Sequence, residues 1–234
     1  MKNQYFGDVN DYRKYGLLRA LTAGSEITTT ICWMLTPDDG RSDGKFTTYL
    51  MQPERWRHFD PELLDTLQGL VRDERSVAHL EKASLLPRTR FYDEILPDDH
   101  QGRQQYFASF WPRAQNSDLI FFDPDNGVEV KSKPLGRKGS SKYLYWRELT
   151  QAFSGGSSVL VYQHFPREKR TPFIARVAKE MDGRTEAPCI YSFRTSHVVF
   201  FLLLSELSRP TLELNILRVS ETWAGQIEVH RHKG

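Results

Sequence analysis

The sequence predicts an α/β fold in which helices cover both faces of a mostly parallel central sheet. Three apolar segments, 27–35, 118–123 and 157–165, have the length and the β-branched or aromatic composition of buried strands. Helix-like segments alternate with them, and this order is typical of parallel strands joined by crossover helices. Two further strand-like runs around 194–196 predict a hairpin that places an antiparallel strand near the C-terminus.

The remaining elements are predicted from their periodicity and from the residues that end them. The first helix covers about 10–23 and ends at Gly24, whereas the tail at 212–230 is predicted to add one or two short strands. Segment 88–96 is a weaker strand candidate. The other segments predicted as helices are 61–73, the short 76–84, 99–111 ended by Pro112, 141–153, and 167–181, which Pro172 interrupts early and Gly183 ends.

The composition sets limits on the class of protein. The chain has 234 residues, of which 39% are hydrophobic, and this length favours one α/β domain with a small helical insertion at about 51–85. The net charge is only +2, so binding of a nucleic acid would depend on local basic patches. Two cysteines do not suggest a disulfide framework, and the longest apolar run, 197–204, is too short to span a bilayer. We therefore expect a cytoplasmic protein without a membrane partner.

Acidic residues follow two of the predicted strands and are the first site candidates. Asp123 ends the strand at 118–123 within the sequence Asp-Pro-Asp-Asn-Gly, and the polar segment 36–46 follows the first strand. Ligands of open α/β sheets bind beyond the carboxyl ends of the strands. At that edge Asp123 would bind a hydrogen-bond donor, a ribose or a metal. The alternative is a plain β-turn between 119–122 and 128–131 that carries no chemistry.

The same region also supports a nuclease hypothesis. Glu129 and Lys131 form the acid-x-lysine pattern that metal-dependent nucleases use, with Asp123 and Asp125 as further Mg²⁺ ligands. In a regular hairpin, neighbouring residues alternate between the two faces. Glu129 would then point away from the side of Asp123 unless a bulge intervenes.

Two loops are candidate ligand-binding segments. In 36–46, Asp38 and Asp39 would border a nucleotide-type cofactor, although the segment lacks the full G-x-G-x-x-G pattern and equally fits a polar loop. In 131–146, basic and aromatic residues stand together in a way that suits phosphate binding and base stacking, or a solvated loop that leads into a helix. His164, at a strand end, is a candidate base or ligand and equally a structural residue. The residues assigned to the substrate are Arg137, Lys138, Lys142 and Tyr143.

The N-terminus and the Asp-Pro sequence at Asp123 carry a resemblance to a known family. The segment QYFGDVNDYRKY keeps Gly7, Asp11 and Lys14 in register with the pattern F-H-A-G-N-x-A-D-V-L-K-H, and Tyr15 stands where that pattern has its last His. In these motifs and in the order of its strands and helices, the chain resembles the J-type adenine-N6 methyltransferases of large-subunit ribosomal RNA. More broadly, it resembles class I S-adenosylmethionine-dependent methyltransferases.

The resemblance implies a Rossmann-like class I methyltransferase fold with S-adenosylmethionine as the cofactor. The substrate would be a nucleic acid, DNA or RNA, or another nucleobase-containing molecule. Asp123 and Pro124 would position the acceptor amine, because in the family motif the Asp carboxylate and the Pro carbonyl accept hydrogen bonds from the exocyclic amine of adenine. Lys14 and Tyr15 would lie near the carboxylate end of the cofactor.

The sequence departs from the family's Asp-Pro-Pro-Tyr motif at two positions. Asp125 replaces the second proline, and Asn126 replaces the aromatic residue that stacks on the flipped base. A methyltransferase-like fold that has lost the chemistry, and that binds a nucleotide or a partner protein, is therefore a third hypothesis. It stands beside the methyltransferase and the Mg²⁺-dependent nuclease.

Overall fold

The computed structural model describes residues 1–40, 44, 46–72 and 75–233, so parts of the predicted loop at 36–46 and the end of the predicted helix at 73 lie outside the described residues. Among the described residues, no helix is both long enough and apolar enough to cross a membrane. In chain order the helices and strands are α1 (Val9–Thr22), β1 (Thr29–Cys32), α2 (Pro53–Trp56), α3 (Pro61–Leu70), α4 (Ala78–Lys82), β2 (Thr89–Tyr92), α5 (His100–Ala114), β3 (Leu119–Phe122), β4 (Gly127–Val128), β5 (Tyr143–Leu144), α6 (Trp146–Ser154), β6 (Ser158–His164), α7 (Arg170–Thr185), β7 (Cys189–Arg194), β8 (Val198–Leu204), α8 (Arg209–Thr222) and β9 (Glu228–Lys233).

In the described part of the chain, seven strands form the central sheet in the order β2-β1-β3-β6-β8-β7-β9. The neighbours β2, β1, β3 and β6 are parallel, and the register places Thr29 beside both Thr89 and Leu119. β8 is antiparallel to β6 and to β7, and β9 is antiparallel to β7. The predicted mostly parallel α/β sheet is therefore confirmed, but β8 and β9 both run against the other strands, where one such strand was expected.

Each face of the sheet carries its own hydrophobic core. Neighbouring residues of a strand point to opposite faces, so a wholly apolar strand is buried on both. Phe121 and Leu160 belong to the core that contains residues of α1, α3 and α8, whereas Phe122 and Val161 belong to the core that contains residues of α5, α6 and α7. Helices on both faces are therefore confirmed. α4 also contributes to the first core, so the helical segment at 51–85 packs onto the body of the domain.

Several predicted helix boundaries are wrong. Segment 141–153 starts as a 3₁₀ turn and the strand β5, and α6 begins only at Trp146, because the residues before it pair with β4. Pro112 lies inside α5 near its C-terminal end and does not end the helix, which continues to Ala114. α7 continues through Gly183 to Thr185, because packing of a helix outweighs the intrinsic propensity of one residue.

The tail differs most from its prediction. Residues 209–222 form α8 and not a strand, because Leu212, Ile216 and Val219 recur at helical spacing and are buried in the core that α1 shares. Only the end of the tail, β9, is a strand.

The chain after β3 does not form the plain hairpin turn considered above. Gly127 and Val128 pair in parallel with Tyr143 and Leu144 as a separate two-stranded sheet. Gly127 has a φ of +118°, and a Cβ there would lie 2.2 Å from the side-chain oxygen of Gln163, so glycine is required at this position. The Asp-Pro-Asp-Asn sequence therefore forms a loop at the carboxyl edge of the central sheet.

Candidate active site

A cavity of about 390 Å³ opens at this edge, between the loop after β3, the end of β6 and the N-terminal end of α1. The position is the one at which open α/β sheets bind ligands, and the volume lies in the range of small-molecule sites. Asp123 and Pro124, which the sequence predicts to be catalytic, both line the cavity, and so does Lys14. The N-terminal segment and the Asp-Pro sequence at Asp123, which carry the resemblance, therefore meet at this cavity.

A buried ion cluster forms the floor of the cavity. The ammonium of Lys14 lies 2.6 Å from Oδ2 of Asp123 and 2.7 Å from Oδ1 of Asp11, and all three residues are buried. Burial alone would lower the pKa of Lys14, but the two carboxylates hold it above its usual value. Burial raises the pKa of both carboxyl groups, and the ammonium opposes that effect. The ionised form of each group in the cluster is therefore stabilised by its oppositely charged neighbours.

The first turns of α1 build the acidic half of this cluster. Asp8 caps the helix, because its carboxylate accepts a hydrogen bond of 2.8 Å from the backbone N–H two residues later. Asp11 and Lys14 are three residues apart and share one face of the helix. The second oxygen of Asp11 accepts hydrogen bonds from the backbone N–H of Gly7 at 3.1 Å and from the hydroxyl of Tyr15 at 3.0 Å. Tyr15 therefore orients Asp11, and its ring does not line the cavity.

The α-amino group of Met1 makes a second charged contact with the loop after β3. It donates to the carbonyl oxygen of Asp123 at 2.8 Å and lies 2.8 Å from Oδ1 of Asp125. The other oxygen of Asp125 accepts a hydrogen bond of 2.8 Å from the hydroxyl of Thr36. Burial would raise the pKa of Asp125, but the Met1 ammonium and these hydrogen bonds bring it below its usual value. Asp125 is therefore ionised and holds the loop against the start of the chain.

Among the residues that the structure describes, the charges that line the cavity do not balance. Four described aspartates contribute negative charge, and the ammonium groups of Lys14 and Met1 contribute two positive charges, which leaves an excess of two negative charges among the described lining residues. Such a site suits a ligand that carries positive charge or presents several hydrogen-bond donors. In the described part of the chain, no group of three or more His, Cys, Asp or Glu residues is arranged to hold a metal ion.

Asp38 and Asp39, which are predicted to border a cofactor, lie outside the cavity lining and hold the N-terminal segment. Asp39 pairs with the ammonium of Lys2 and accepts a hydrogen bond of 3.2 Å from the side chain of Gln4. Asp38 accepts a hydrogen bond of 3.2 Å from the backbone N–H of Gln4. Of the four residues predicted for the cofactor, Lys14 alone lines the cavity.

The predicted substrate residues divide into two groups. The backbone carbonyl of Lys142 accepts a hydrogen bond of 3.0 Å from the N–H of Asn126, and Tyr143 lies beside Gly127 in the parallel pair. These two residues therefore adjoin the loop that lines the cavity. Arg137 and Lys138 are exposed and do not line it.

The residues of the nuclease hypothesis do not converge. Glu129 accepts a hydrogen bond of 2.8 Å from the backbone N–H of Trp146, so its carboxylate serves the start of α6. Lys131 is exposed, and neither Glu129 nor Lys131 lines the cavity that contains Asp123 and Asp125. The geometry therefore does not favour a magnesium site built from these four residues.

Sequence reasoning missed several residues of the cavity. Asp8, Tyr162 and His197 line it, and they come from the cap of α1, from β6 and from the turn between β7 and β8. A signal for Asp8 was present, because an Asp before a predicted helix is a candidate N-cap. Tyr162 and His197 carry no local signal, because their neighbours in space are distant in sequence. His164, weighed above as a base or ligand, also lines the cavity.

Comparison with known proteins adds support for the fold. No family model and no curated protein matches this sequence. Among solved structures, the chain is similar to the crystal structure of protein LPL1258 from Legionella pneumophila str. Philadelphia 1, which is described under the family model DUF519. The similarity covers 98% of this chain and 97% of that chain, with a TM-score of 0.50 and 10% sequence identity. At this level of identity the likeness concerns the fold alone, and it agrees with the α/β architecture.

Proposed function

We propose that this protein is an S-adenosylmethionine-dependent methyltransferase that acts on a nucleic acid or on another nucleobase-containing substrate. The observation that carries the proposal is the contact between Lys14 and Asp123. These residues belong to the two motifs of the resemblance, stand 109 positions apart in the sequence, and meet at 2.6 Å. The reversed strand β8 near the C-terminus is a further feature that the resemblance implies.

The chemistry of the cavity fits such a cofactor. S-adenosylmethionine supplies a methyl group carried on a sulfonium cation. The excess of two negative charges among the described lining residues favours a cation at this edge of the sheet. Asp8 and Asp11, at the start of α1, would hold the positively charged part of the ligand, with the ring of Tyr162 beside it.

In this proposal Asp123 and Pro124 act on the acceptor. An ionised carboxylate only accepts hydrogen bonds, so Asp123 would orient an exocyclic amine through its N–H groups, and the carbonyl oxygen of Pro124 would be the second acceptor. Lys14 is a positioning residue, because its ammonium is already bonded to two carboxylates and fixes the one of Asp123. Catalysis then consists mainly of holding the amine in line with the methyl group, which requires no strong base.

Calorimetric titration with S-adenosylmethionine and with S-adenosylhomocysteine tests the cofactor. Saturable binding of at least one is expected, and the absence of binding of both at near-millimolar concentration would overturn the proposal. Transfer of a radiolabelled methyl group to RNA, to DNA and to adenosine tests the reaction. Asp123→Asn keeps the shape of the side chain and should lower the transfer rate by about a hundredfold or more. Asp65→Asn, on the exposed surface of α3, is the control and should transfer normally.

A binding protein with the same fold is the second candidate. The observation in its favour is Asn126, which stands where the resembled motif has its stacking aromatic residue. Such a protein would bind the cofactor or a nucleotide saturably and transfer no label to any of the three acceptors.

A further inference from the structure

A shallow groove of about 680 Å³ adjoins the mouth of the acidic cavity and has the opposite charge. It follows the end of β6 and the start of α7, and it shares both of its histidines with the cavity. We name this groove, formed by residues 164–170 with His197, the basic rim. Arg167, Lys169 and Arg170 are all exposed on it.

Among the described residues, no neighbouring acid neutralises the positive charges of the basic rim. Its one carboxylate, Glu168, lies 2.8 Å from the guanidinium of Arg176 on α7 and is paired there. Among the residues that the structure describes, no carboxylate forms an ion pair with Arg167, Lys169 or Arg170. The first turn of α7 adds the partial positive charge of a helix N-terminus. Three cations along one groove, none of which pairs with a carboxylate of the described residues, favour the binding of an extended anion.

An aromatic pair stands where the basic rim meets the cavity. Phe46 is 65% exposed, and its ring stacks on His197 with centroids 6.5 Å apart and an angle of 17° between the planes. The backbone of Phe46 is held on both sides, because its N–H donates to Asp8 and its carbonyl accepts from the N–H of Val9, both at 3.1 Å. Burial and nearby guanidinium groups lower the pKa of His197, which favours the neutral form of its ring. An anchored aromatic ring in solvent beside a cavity suits stacking with a planar base.

We propose that the basic rim binds the sugar-phosphate backbone of a single-stranded nucleic acid, while one base stacks on Phe46 and enters the acidic cavity. The two surfaces favour different groups of a nucleotide. The aspartates of the cavity repel phosphates but accept hydrogen bonds from the amino groups of bases, whereas the basic rim attracts the phosphates. A base inside a duplex could not reach the cavity without leaving the stack. The inference rests on the proposed function for the role of the cavity. In this inference, the side chains of Arg167, Lys169 and Arg170 bind the phosphate groups.

Fluorescence anisotropy with labelled single-stranded RNA and DNA of one mixed sequence, without cofactor, tests this inference. The affinity of the wild-type protein should fall with salt, and each neutralised phosphate contributes about 0.7 to the slope of log K against log salt. Arg167→Ala/Lys169→Ala should weaken binding about tenfold or more and reduce the slope by about 1.4. Lys82→Ala/Lys179→Ala removes the same charge from exposed positions outside the basic rim and should leave the slope unchanged.

If Phe46 stacks on a base, its replacement should change the affinity without changing the salt dependence. Phe46→Ala should weaken binding by about tenfold to a hundredfold at an unchanged salt slope, and Phe46→Trp should retain binding. Saturable binding of RNA, of DNA or of both supports the inference, and their ratio shows which sugar is preferred. Binding of neither, equal slopes for the rim variant and its control, or an unaffected Phe46→Ala variant overturns it.

The outcome is separable from that of the proposed function, because the binding assay contains no cofactor. Binding that depends on the basic rim, without methyl transfer to any acceptor, would keep this inference and overturn the methyltransferase proposal. Methyl transfer to free adenosine by a protein that binds neither oligonucleotide would keep the methyltransferase proposal and overturn this inference.

Discussion

Replacing Lys14 by methionine removes one buried ammonium and keeps most of the apolar volume of the side chain. In the native protein this ammonium compensates both Asp11 and Asp123, and Lys14 is only 2% exposed. The ammonium of Met1 does not replace it, because it is paired with Asp125. In Lys14→Met we therefore expect at least one of the two buried carboxyl groups to take up a proton in the folded state.

Proton uptake sets the size of the destabilisation. For a carboxyl group with an ordinary pKa of 3.8, protonation costs about 4 kcal/mol at about pH 7 and about 2 kcal/mol at about pH 5. The first figure agrees with the roughly 3–5 kcal/mol that is typical when one partner of a buried ion pair is removed. The pKa of this carboxyl group is raised in the folded variant, so the stability it contributes is present at low pH and is lost as the pH rises.

Urea unfolding followed by tryptophan fluorescence at pH values between about 5 and 7 measures this difference. Lys233→Met is the matched control. Its ammonium lies 2.6 Å from Asp182, but the two side chains are 39% and 42% exposed, so its loss should cost less than about 1 kcal/mol at every pH. Equal effects for Lys14→Met and its control, or an effect of Lys14→Met that does not shrink towards low pH, would refute the reasoning about the buried cluster.

The remaining predictions concern a second buried ion pair, packing and pH dependence. Arg103→Met should lower the free energy of unfolding in urea by about 3–5 kcal/mol, because the buried guanidinium binds a carboxylate of α6 through two contacts of 2.7 Å; a loss below about 1 kcal/mol would contradict this. Gly16→Ala should lower the free energy of unfolding by about 1–3 kcal/mol in the same titration, because the added Cβ would lie 1.8 Å from the ring of Trp223. Gly69→Ala is its control, because a Cβ there meets open space, and it should stabilise α3 by up to about 1 kcal/mol. The pKa of Asp125 is lowered in the folded protein, so its ionised carboxylate contributes stability above the ordinary pKa of 3.8, and this stability is lost as the pH falls through the pKa of the folded state. Asp125→Asn should therefore be less stable than wild type near neutral pH and equally stable in acid. A stability difference that persists in acid would exclude this linkage.

The parts of the fold that could be predicted are those whose signal is local. β3, β6 and β8 are buried on both faces and appear in the sequence as nearly continuous apolar runs. Gly24 marks the end of α1, and Asp123 could be located at the sheet edge because it directly follows an apolar run. The prediction of a site at that edge therefore depends on one well-defined strand and on the rule for where α/β sheets bind ligands.

The parts that could not be predicted depend on distant partners. β9 is an exposed edge strand rich in charged residues, so it lacks the apolar alternation by which strands are recognised. The parallel pair of β4 and β5 joins residues on either side of a long loop, and no local pattern signals it. In the same way, the resemblance implies that Lys14 lies near the cofactor and Asp123 near the acceptor, but it does not predict that the two side chains contact each other. Nothing near either residue in the sequence specifies the other.

The two departures from the Asp-Pro-Pro-Tyr motif have a physical explanation in the contacts that these positions make. Asp125 is bound by an ammonium and by a hydroxyl group, and the carbonyl of Asn126 accepts a hydrogen bond of 2.9 Å from the side chain of Gln163. Both residues thus fix the loop that carries Asp123, and neither offers a ring to a base. If the protein binds a planar base, as we propose, the aromatic residue that stacks on that base must come from another part of the cavity wall. Phe46 is exposed at the cavity mouth and its backbone is held by hydrogen bonds, so the proposal assigns the stacking to Phe46.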